Sequence, residues 1–185
     1  MKTTLNLNKL SKEVFEANKA KGFHDKEHSN ETLLMLVITE LSEAVEADRK
    51  GKRAQLGVEA YSGAFDPKGF ELWVKDTVED ELADAVIRLF DLSGLRNISV
   101  AIDKQYITEG LNMICEETFP ESIYHICRAV LRNAVNANDE LKDVVKKSLS
   151  SIVAICQQMN IDLWYHVELK LQYNKTRPDK HGKKY

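Results

Sequence analysis

The chain has 185 residues, of which 26 are Lys or Arg and 29 are Asp or Glu, so its formal net charge at pH 7 is −3. With 43% hydrophobic residues and only 8 Gly and 3 Pro, the composition excludes collagen-like, low-complexity and wholly disordered chains. The length predicts a single domain, residues 1–185, that buries a sizeable core without disulfide staples.

Cysteine usage and hydropathy indicate the compartment. The 3 cysteines, Cys115, Cys127 and Cys156, are an odd number and form no C-x-x-C pair, so we expect buried thiols in a reducing compartment. The N-terminus lacks the apolar run of a secretory signal, and nowhere do about 18 apolar residues follow one another. The sequence therefore predicts a cytoplasmic protein without a membrane segment.

Helical signals dominate the first half of the chain. One helix is predicted over about 5–20, and a second over about 30–50, opened by Ser29 or Asn30. A third helix is predicted over about 72–93, where apolar residues again recur at helical spacing.

An insertion loop is predicted between the second and third helices. Within 19 residues, from Gly51 to Gly69, the chain holds 4 of its 8 glycines together with Pro67. Because these residues favour turns over helices and strands, residues 51–70 are predicted to form a long surface loop.

Two apolar stripes at helical spacing mark the second half. Each stripe predicts a helix that turns one face toward the core. The first comprises Ile123, Ile126, Cys127, Val130, Leu131 and Ala134, and the second comprises Val145, Leu149, Ile152, Val153, Cys156 and Met159. Since no convincing alternating strand pair occurs, the predicted fold class is all-α, a helical bundle.

The remaining helix signals are caps and stops. A short helix is predicted within 98–118, and Asp139 and Asp162 are predicted N-caps of the two helices that follow. The last helix should end near residue 176, because Pro178 disfavours a helical conformation at the residue before it.

The C-terminus is basic although the body is acidic. Residues 166–185 contain six Lys or Arg against two Asp or Glu. The tail over 176–185 is therefore either a solvated, frayed end or a segment that recognises a polyanion such as phosphate groups.

The string HDKEH at 24–28 matches the H-x-x-E-H pattern of inverted zincins, in which both histidines bind zinc. That chemistry needs the motif on a well-packed helix. No aliphatic residue occurs between His24 and Thr32, so we interpret the string as a polar connector between the first two helices.

Glu40 lies on the apolar face of the second predicted helix, where a charged residue is unexpected. At about 100° per residue, Glu40 falls in the middle of an apolar arc and Glu43 at its margin. The arc comprises Leu33, Leu36, Val37, Ala44 and Ala47. A buried carboxylate is costly unless it is neutralised, paired or bound to a metal. The pattern thus predicts either a buried ion pair or a metal ligand at Glu40.

The third predicted helix repeats this device, because Glu81 and Asp84 are also three residues apart among apolar residues. Carboxylates at i and i+3 lie about 5–6 Å apart on one face, so two antiparallel helices can bring four of them together. Their repulsion requires a cation, and oxygen ligands without His or Cys suit Mg²⁺ or Mn²⁺. Arg88 and Asp91 continue this polar edge, where they either orient the ligands or lie in solvent.

With E-x-x-E on one helix, E-x-x-D on the next and a basic tail, the sequence resembles the MazG-type nucleoside triphosphate pyrophosphohydrolases of the all-α NTP pyrophosphatase superfamily. Four strings carry the resemblance: KGFHD at 21–25, ITELSEAVEADRKG at 38–51, DELADAVIRLFDL at 80–92 and KLQYNKTRPDKHGKKY at 170–185. The segment over 44–80 is longer than the usual family gap.

The resemblance implies Mg²⁺-dependent cleavage of a nucleoside triphosphate into the monophosphate and pyrophosphate, with Mn²⁺ as a substitute ion. It implies that Glu40, Glu43, Glu81 and Asp84 are the catalytic metal ligands. One of them, or a neighbour such as Glu46, would act as general base. It also implies a homo-oligomer. The implied substrate contacts are Lys170, Tyr173, Asn174 and Arg177, with Lys180 and His181 closing over phosphate.

Two other functions remain open from the sequence. A helical module could retain the bundle without turnover and bind nucleotides or a protein partner through its acidic groove. Direct nucleic-acid binding by the tail is weaker, because the acidic body would repel phosphates.

Overall fold

The computed structural model describes residues 5–56, 65–114, 118–132 and 138–182. Every regular element in these ranges is a helix, and no strand occurs in them, which confirms the all-α prediction. The elements are α1 Leu7–Ala20, α2 Asn30–Arg49, α3 Pro67–Trp73, α4 Val78–Arg96, α5 Lys104–Ile114, α6 Phe119–Arg132, α7 Asn138–Gln158, α8 Leu163–Thr176 and a final 3₁₀ helix, Asp179–Gly182.

Side-chain caps begin the helices that carry the site. The Ser29 hydroxyl accepts a hydrogen bond from the Thr32 amide at the start of α2, and Asp162 accepts one from the Tyr165 amide at the start of α8. Both bonds satisfy amides that have no partner within the helix. They confirm the predicted start of α2 and the predicted cap of α8, which ends at Thr176 as expected.

The predicted third helix over 72–93 is wrong at both ends. The helix breaks between Trp73 and Val78, where Asp76 adopts a left-handed conformation with φ 59° and the Thr77 hydroxyl caps α4. At the other end, α4 continues to Arg96. The apolar spacing continues through the break, so periodicity alone did not reveal it.

The predicted insertion loop over 51–70 is also wrong in part. Asp66 and Pro67 start α3, because the Asp66 carboxylate accepts hydrogen bonds from two amides and proline occupies the first turn. Phe70 of this helix is fully buried. Residues 57–64 lie outside the described residues.

The residues of the two apolar stripes in the second half of the chain lie mainly in the core. Ile123, Ile126 and Val130 of α6 are buried, and so is most of the α7 stripe. Leu131, by contrast, is 62% exposed and Cys127 is half-buried. The buried face of α6 is therefore narrower than the apolar stripe in the sequence. Ala134 and Cys115 lie outside the described residues.

Helix α4 is the centre of the bundle. It packs against α1, α2, α7 and α8, and 13 of its 19 residues are buried. It runs antiparallel to α2, since Arg96 near its C-terminus donates to Asn30 while Arg88 donates to Glu40. None of the helices in the described ranges has the length and apolar composition that a membrane span requires.

Gly94 lets α1 lie directly against α4. A Cβ atom at this position would lie 2.4 Å from the Phe15 Cβ and 2.9 Å from the Ser11 carbonyl oxygen. Beside this contact, the Ser11 hydroxyl donates to the Phe90 carbonyl at 2.8 Å. The close approach fixes where α1 and the connector that follows it lie relative to α4.

We predict that Gly94→Ala destabilises the protein. Alanine favours a helix over glycine by about 1 kcal/mol, yet the contact with α1 should cost more, about 1–3 kcal/mol beyond that gain. Thermal melts should show a lower Tm. Gly69→Ala is the matched control, because its closest contact is a movable carboxylate oxygen of Asp66 at 3.1 Å. A Tm at or above wild type for Gly94→Ala would contradict the close packing.

Candidate metal centre

Three of the four predicted carboxylates converge between α2 and α4. Glu40, Glu43 and Glu81 each offer one oxygen, and these oxygens all lie within 4.8 Å of one another. Glu40 is 3% exposed and Glu81 is 4% exposed, whereas Glu43 is exposed. The cluster is therefore closed by the core on one side and reaches solvent at Glu43.

Glu40 is also part of an ion pair. The Arg88 Nε atom donates to Glu40 Oε1 at 3.0 Å, and the Arg88 side chain is only 17% exposed. The ion-pair alternative for Glu40 is therefore confirmed, and its carboxylate also lies close to two others. Arg88 is held by Glu40 and does not lie free in solvent.

Asp84, the fourth predicted ligand, is held by α8. The Lys170 ammonium lies 2.8 Å from Asp84 Oδ2 and 2.7 Å from Asp80 Oδ2. Lys170 is 4% exposed and Asp80 is 1% exposed. Lys170, a predicted substrate contact, is therefore a buried cation between two carboxylates. The sequence reasoning missed Asp80 altogether.

The pKa values of this triad follow from burial and charge. Burial would lower the pKa of Lys170, but Asp84 and Asp80 outweigh it and raise that pKa. Burial raises the pKa of Asp80 to about 6, against the opposing effect of Lys170. The ammonium stays charged, and the triad links α8 to α4 through charge-assisted hydrogen bonds.

Glu81 lies where the negative charges of the site accumulate. Burial, and then Asp84 and Asp80, raise its pKa to about 9. Within the described part of the chain, its carboxyl makes no ion pair or hydrogen bond. A buried carboxyl surrounded by four others is a place where a bound cation lowers the free energy. The all-oxygen donor set fits a hard divalent ion such as Mg²⁺.

A second acidic group adjoins the first. Asp76, Asp80 and Glu81 also bring one oxygen each to within 4.8 Å of one another. Asp80 in this group is already bonded to Lys170 and to the Asp76 amide. A divalent ion there would have to displace or repel the Lys170 ammonium, so the group with Glu40 and Glu43 suits a metal better.

The next predicted substrate contacts lie along α8. The Tyr173 ring stacks on Phe70 with centroids 4.5 Å apart, and its hydroxyl donates to Glu71 at 2.8 Å. The Arg177 guanidinium lies 5.7 Å from the centre of the Tyr173 ring. Tyr173 is 6% exposed, so it supports Arg177 and is not itself open to a ligand.

Asn174 and Arg177 face a polar cavity beside the carboxylate cluster. Asp84 and Arg88 line the same cavity. The Asn174 Oδ1 atom is buried and has no hydrogen-bond partner among the described residues. The structure thus brings Asn174 and Arg177 next to a predicted metal ligand.

The start of the tail is bound to the connector after α1. The Lys180 ammonium lies 3.1 Å from Asp25 Oδ2, and the Lys180 amide donates to the Lys21 carbonyl at 2.9 Å. The Lys21 ammonium donates to the Arg177 carbonyl. Residues 177–180 are therefore not a frayed end. The His181 side chain lies outside the described residues.

Asp91 pairs with a residue of the HDKEH connector. The His24 Nε2 atom lies 2.9 Å from Asp91 Oδ1, and both side chains are almost fully buried. Residues 21–29 form turns and bends and no helix, which confirms the connector. Sequence spacing could not reveal this pair, because its members are 67 positions apart.

No protein-family model matches the chain, and neither a curated protein nor a solved structure matches it significantly.

The raised pKa of Glu81 predicts that the metal-free protein becomes less stable to unfolding as the pH rises. The pKa of Glu81 is about 9 in the folded protein and about 4.3 in the unfolded chain. Between these two values the folded protein holds a proton that the unfolded chain has lost. The free energy of unfolding therefore falls as the pH rises from about 4 to 9. In EDTA, Glu81→Gln should thus be more stable than wild type, by up to about 4 kcal/mol at pH 7, and equal to it near pH 4.

Urea unfolding between pH 4 and 9 measures this difference. Glu16→Gln is the control, because Glu16 is exposed on α1, away from the carboxylate cluster, and its substitution should change stability little at any pH. Saturating Mg²⁺ should stabilise wild type more than Glu81→Gln, since a ligand of the folded state adds RT ln(1 + [L]/Kd). A Glu81→Gln variant that is less stable than wild type in EDTA at every pH would mean that Glu81 has a structural partner instead.

Proposed function

We propose that the protein is a Mg²⁺-dependent nucleoside triphosphate pyrophosphohydrolase of the MazG type, which cleaves an NTP or dNTP between the α and β phosphates. The observation that carries the proposal is the convergence of Glu40, Glu43 and Glu81 within 4.8 Å on two antiparallel helices. The sequence resemblance had implied that these residues act together.

Glu40, Glu43, Glu81 and Asp84 would hold the metal, with Mn²⁺ as a substitute. When bound, a divalent ion neutralises phosphate charge and lowers the pKa of a water molecule toward neutrality. Glu40 is held in place by Arg88 and Asp84 by Lys170. This support keeps two of the ligands oriented before any ion binds, which reduces the cost of binding.

The proton acceptor is best sought among the clustered carboxylates. Glu46 is a poor candidate, because its hydrogen bond and charge interaction with Lys50, together with Arg49, lower its pKa. Glu43 is exposed and has no ion pair with the described residues. Glu81 is less suited, because its pKa of about 9 keeps it protonated at pH 7. We therefore assign the acceptance of a proton from water to Glu43.

The phosphates would lie in the polar cavity next to Asp84. Arg88 and Arg177 line it together with Asn174, and a guanidinium group can make charge-assisted hydrogen bonds to phosphate. Phosphoryl transfer depends mostly on positioning and charge neutralisation. Lys170 contributes by holding Asp84, and Lys180 by holding the tail beside the cavity, with His181 next to it in the chain.

The proposal includes a cytoplasmic enzyme that works as a homo-oligomer, as the resemblance implies. The free thiols of Cys127 and Cys156 agree with a reducing compartment. Nucleic acid is not a proposed partner, because the carboxylate cluster would repel its backbone.

The first functional prediction concerns product and metal. Incubation with a panel of NTPs and dNTPs and Mg²⁺ should release pyrophosphate, and EDTA should abolish the reaction. Asp84→Asn and Glu81→Gln should lower kcat/KM by about a hundredfold or more, the effect of losing several kcal/mol of charge stabilisation. Glu16→Gln, an exposed carboxylate of α1, is the control and should retain full activity.

Release of orthophosphate, or activity with zinc alone, would overturn this assignment. No turnover across the panel, combined with intact Mg²⁺ binding, would instead favour the nucleotide-binding or protein-interaction module.

The second functional prediction concerns the phosphate contacts. Arg177→Ala should lower kcat/KM by about tenfold or more through loss of a charge-assisted contact. Its effect on folding should be small, because Arg177 lies at the end of α8. Lys175→Ala removes a neighbouring exposed cation and is the matched control. Equal kinetics for the two variants would remove Arg177 from the substrate site.

A further inference from the structure

The two acidic groups between α2 and α4 share one side chain. Glu81 belongs both to the group with Glu40 and Glu43 and to the group with Asp76 and Asp80. Adjoining sets of oxygen ligands are the arrangement of two-metal sites, in which two ions about 3.5–4 Å apart act together on a phosphate. The described side chains therefore outline two neighbouring cation positions, one on each side of Glu81.

An ammonium already lies at the second of these positions. The Lys170 Nζ atom is 2.7 Å from Asp80 Oδ2 and 2.8 Å from Asp84 Oδ2. Burial acts to raise the pKa of every carboxyl in the group with Asp76 and Asp80, and the charge of Lys170 opposes this effect at each of them. Lys170 thus acts on this group as a bound cation does.

The Lys170 ammonium is held in the core of the protein. The residue is 4% exposed, and its Nζ atom lies 5.6 Å from the centre of the Phe70 ring, which belongs to α3. This distance is within the range of a cation–π contact. Since departure of the ammonium would leave the buried Asp80 without its cation, the position is occupied permanently.

We propose that Lys170 takes the place of a second divalent ion, so that the site binds a single divalent ion, at the group with Glu40 and Glu43, beside a lysine ammonium. This inference rests on the proposed function, which requires the ion at the glutamates. A divalent ion takes about six oxygen ligands, whereas an ammonium donates three hydrogen bonds. The exchange leaves acceptors over, and Asp80 Oδ1 is buried without a hydrogen-bond partner among the described residues.

A cation carried by α8 also changes what the metal does for the fold. Lys170 joins α8 to α4 without a metal, and α8 and its end carry Asn174 and Arg177, the proposed phosphate contacts. A divalent ion in the same position would make this helix contact depend on the metal concentration. The lysine therefore keeps the phosphate contacts beside Asp84 before any ion binds.

The experiment counts bound ions and does not use turnover. Mn²⁺ is the probe, without nucleotide, and equilibrium dialysis at a saturating concentration gives the ions bound per chain. Wild type should bind about one ion, and Lys170→Met, which keeps the side-chain length and removes the charge, should bind about two. Two ions on either side of Glu81 should be magnetically coupled, so the Mn²⁺ EPR spectrum of the variant should differ from that of an isolated ion.

Two further variants locate the additional ion. Lys170→Met combined with Asp80→Asn removes a ligand from the second position, so the count should return to that of wild type. Lys175→Met removes an exposed cation of the same helix and should keep the wild-type count and spectrum. Loss of Lys170 should lower the Tm, and Mn²⁺ should raise the Tm of Lys170→Met more than that of the double variant.

The ions gained on loss of Lys170 decide the inference. No additional ion in Lys170→Met, an additional ion that the double variant retains, or failure of Lys170→Met to fold in saturating Mn²⁺ overturns it, and so do two ions in wild type. Each of these results leaves the proposed function standing if wild type releases pyrophosphate. An ion gained by Lys170→Met and lost again in the double variant supports the inference even if no triphosphate is cleaved.

Discussion

The organisation of this protein follows from carboxylates buried on its central helix. Asp80, Glu81 and Asp91 of α4 are each 4% exposed or less, and an ionised carboxylate without compensation is too costly to bury. Two other parts of the chain meet this demand in part. Lys170 of α8 pairs with Asp80, and His24 of the connector after α1 pairs with Asp91. Arg88, on α4 itself, pairs with the buried Glu40 of α2. These contacts hold α8, the connector and α2 on one face of α4.

The cations do not balance all of the negative charge around Glu81, and the uncompensated charge indicates where an ion could bind. Around Glu81, the carboxylates of Glu40, Glu43, Asp80 and Asp84 meet the cations of Lys170 and Arg88 among the described side chains. Negative charge exceeds positive charge even when Glu81 holds a proton, as its pKa of about 9 requires at pH 7. A structural network would normally be closed by a further Lys or Arg. Here the excess lies next to solvent at Glu43, where a divalent ion can enter.

Some helix ends and some buried carboxylates could be predicted from the sequence, and others could not. The start of α2 and the cap of α8 were predictable, because Ser29 and Asp162 act locally on amides within three residues. The break before α4 was not, since it depends on the left-handed Asp76 and on burial of Phe70. Glu40 stood out because its neighbours on the helix are apolar. Asp80 did not, because its compensation comes from Lys170, 90 positions away, and no local pattern signals that contact.

The two helices support the proposed metal ligands differently, and this difference bears on how an ion would be bound. Glu40 is oriented by Arg88, a partner that still leaves it within ligand distance of Glu43 and Glu81. Asp84 is oriented by Lys170, whose ammonium lies 2.8 Å away and itself occupies a position suited to a cation. An ion bound by the three glutamates would lie near that ammonium and be repelled by it. The repulsion weakens the binding of a lone ion. If the proposed function holds, a triphosphate would bring negative charge between the two cations and remove the penalty, so metal and triphosphate should bind more tightly together than separately.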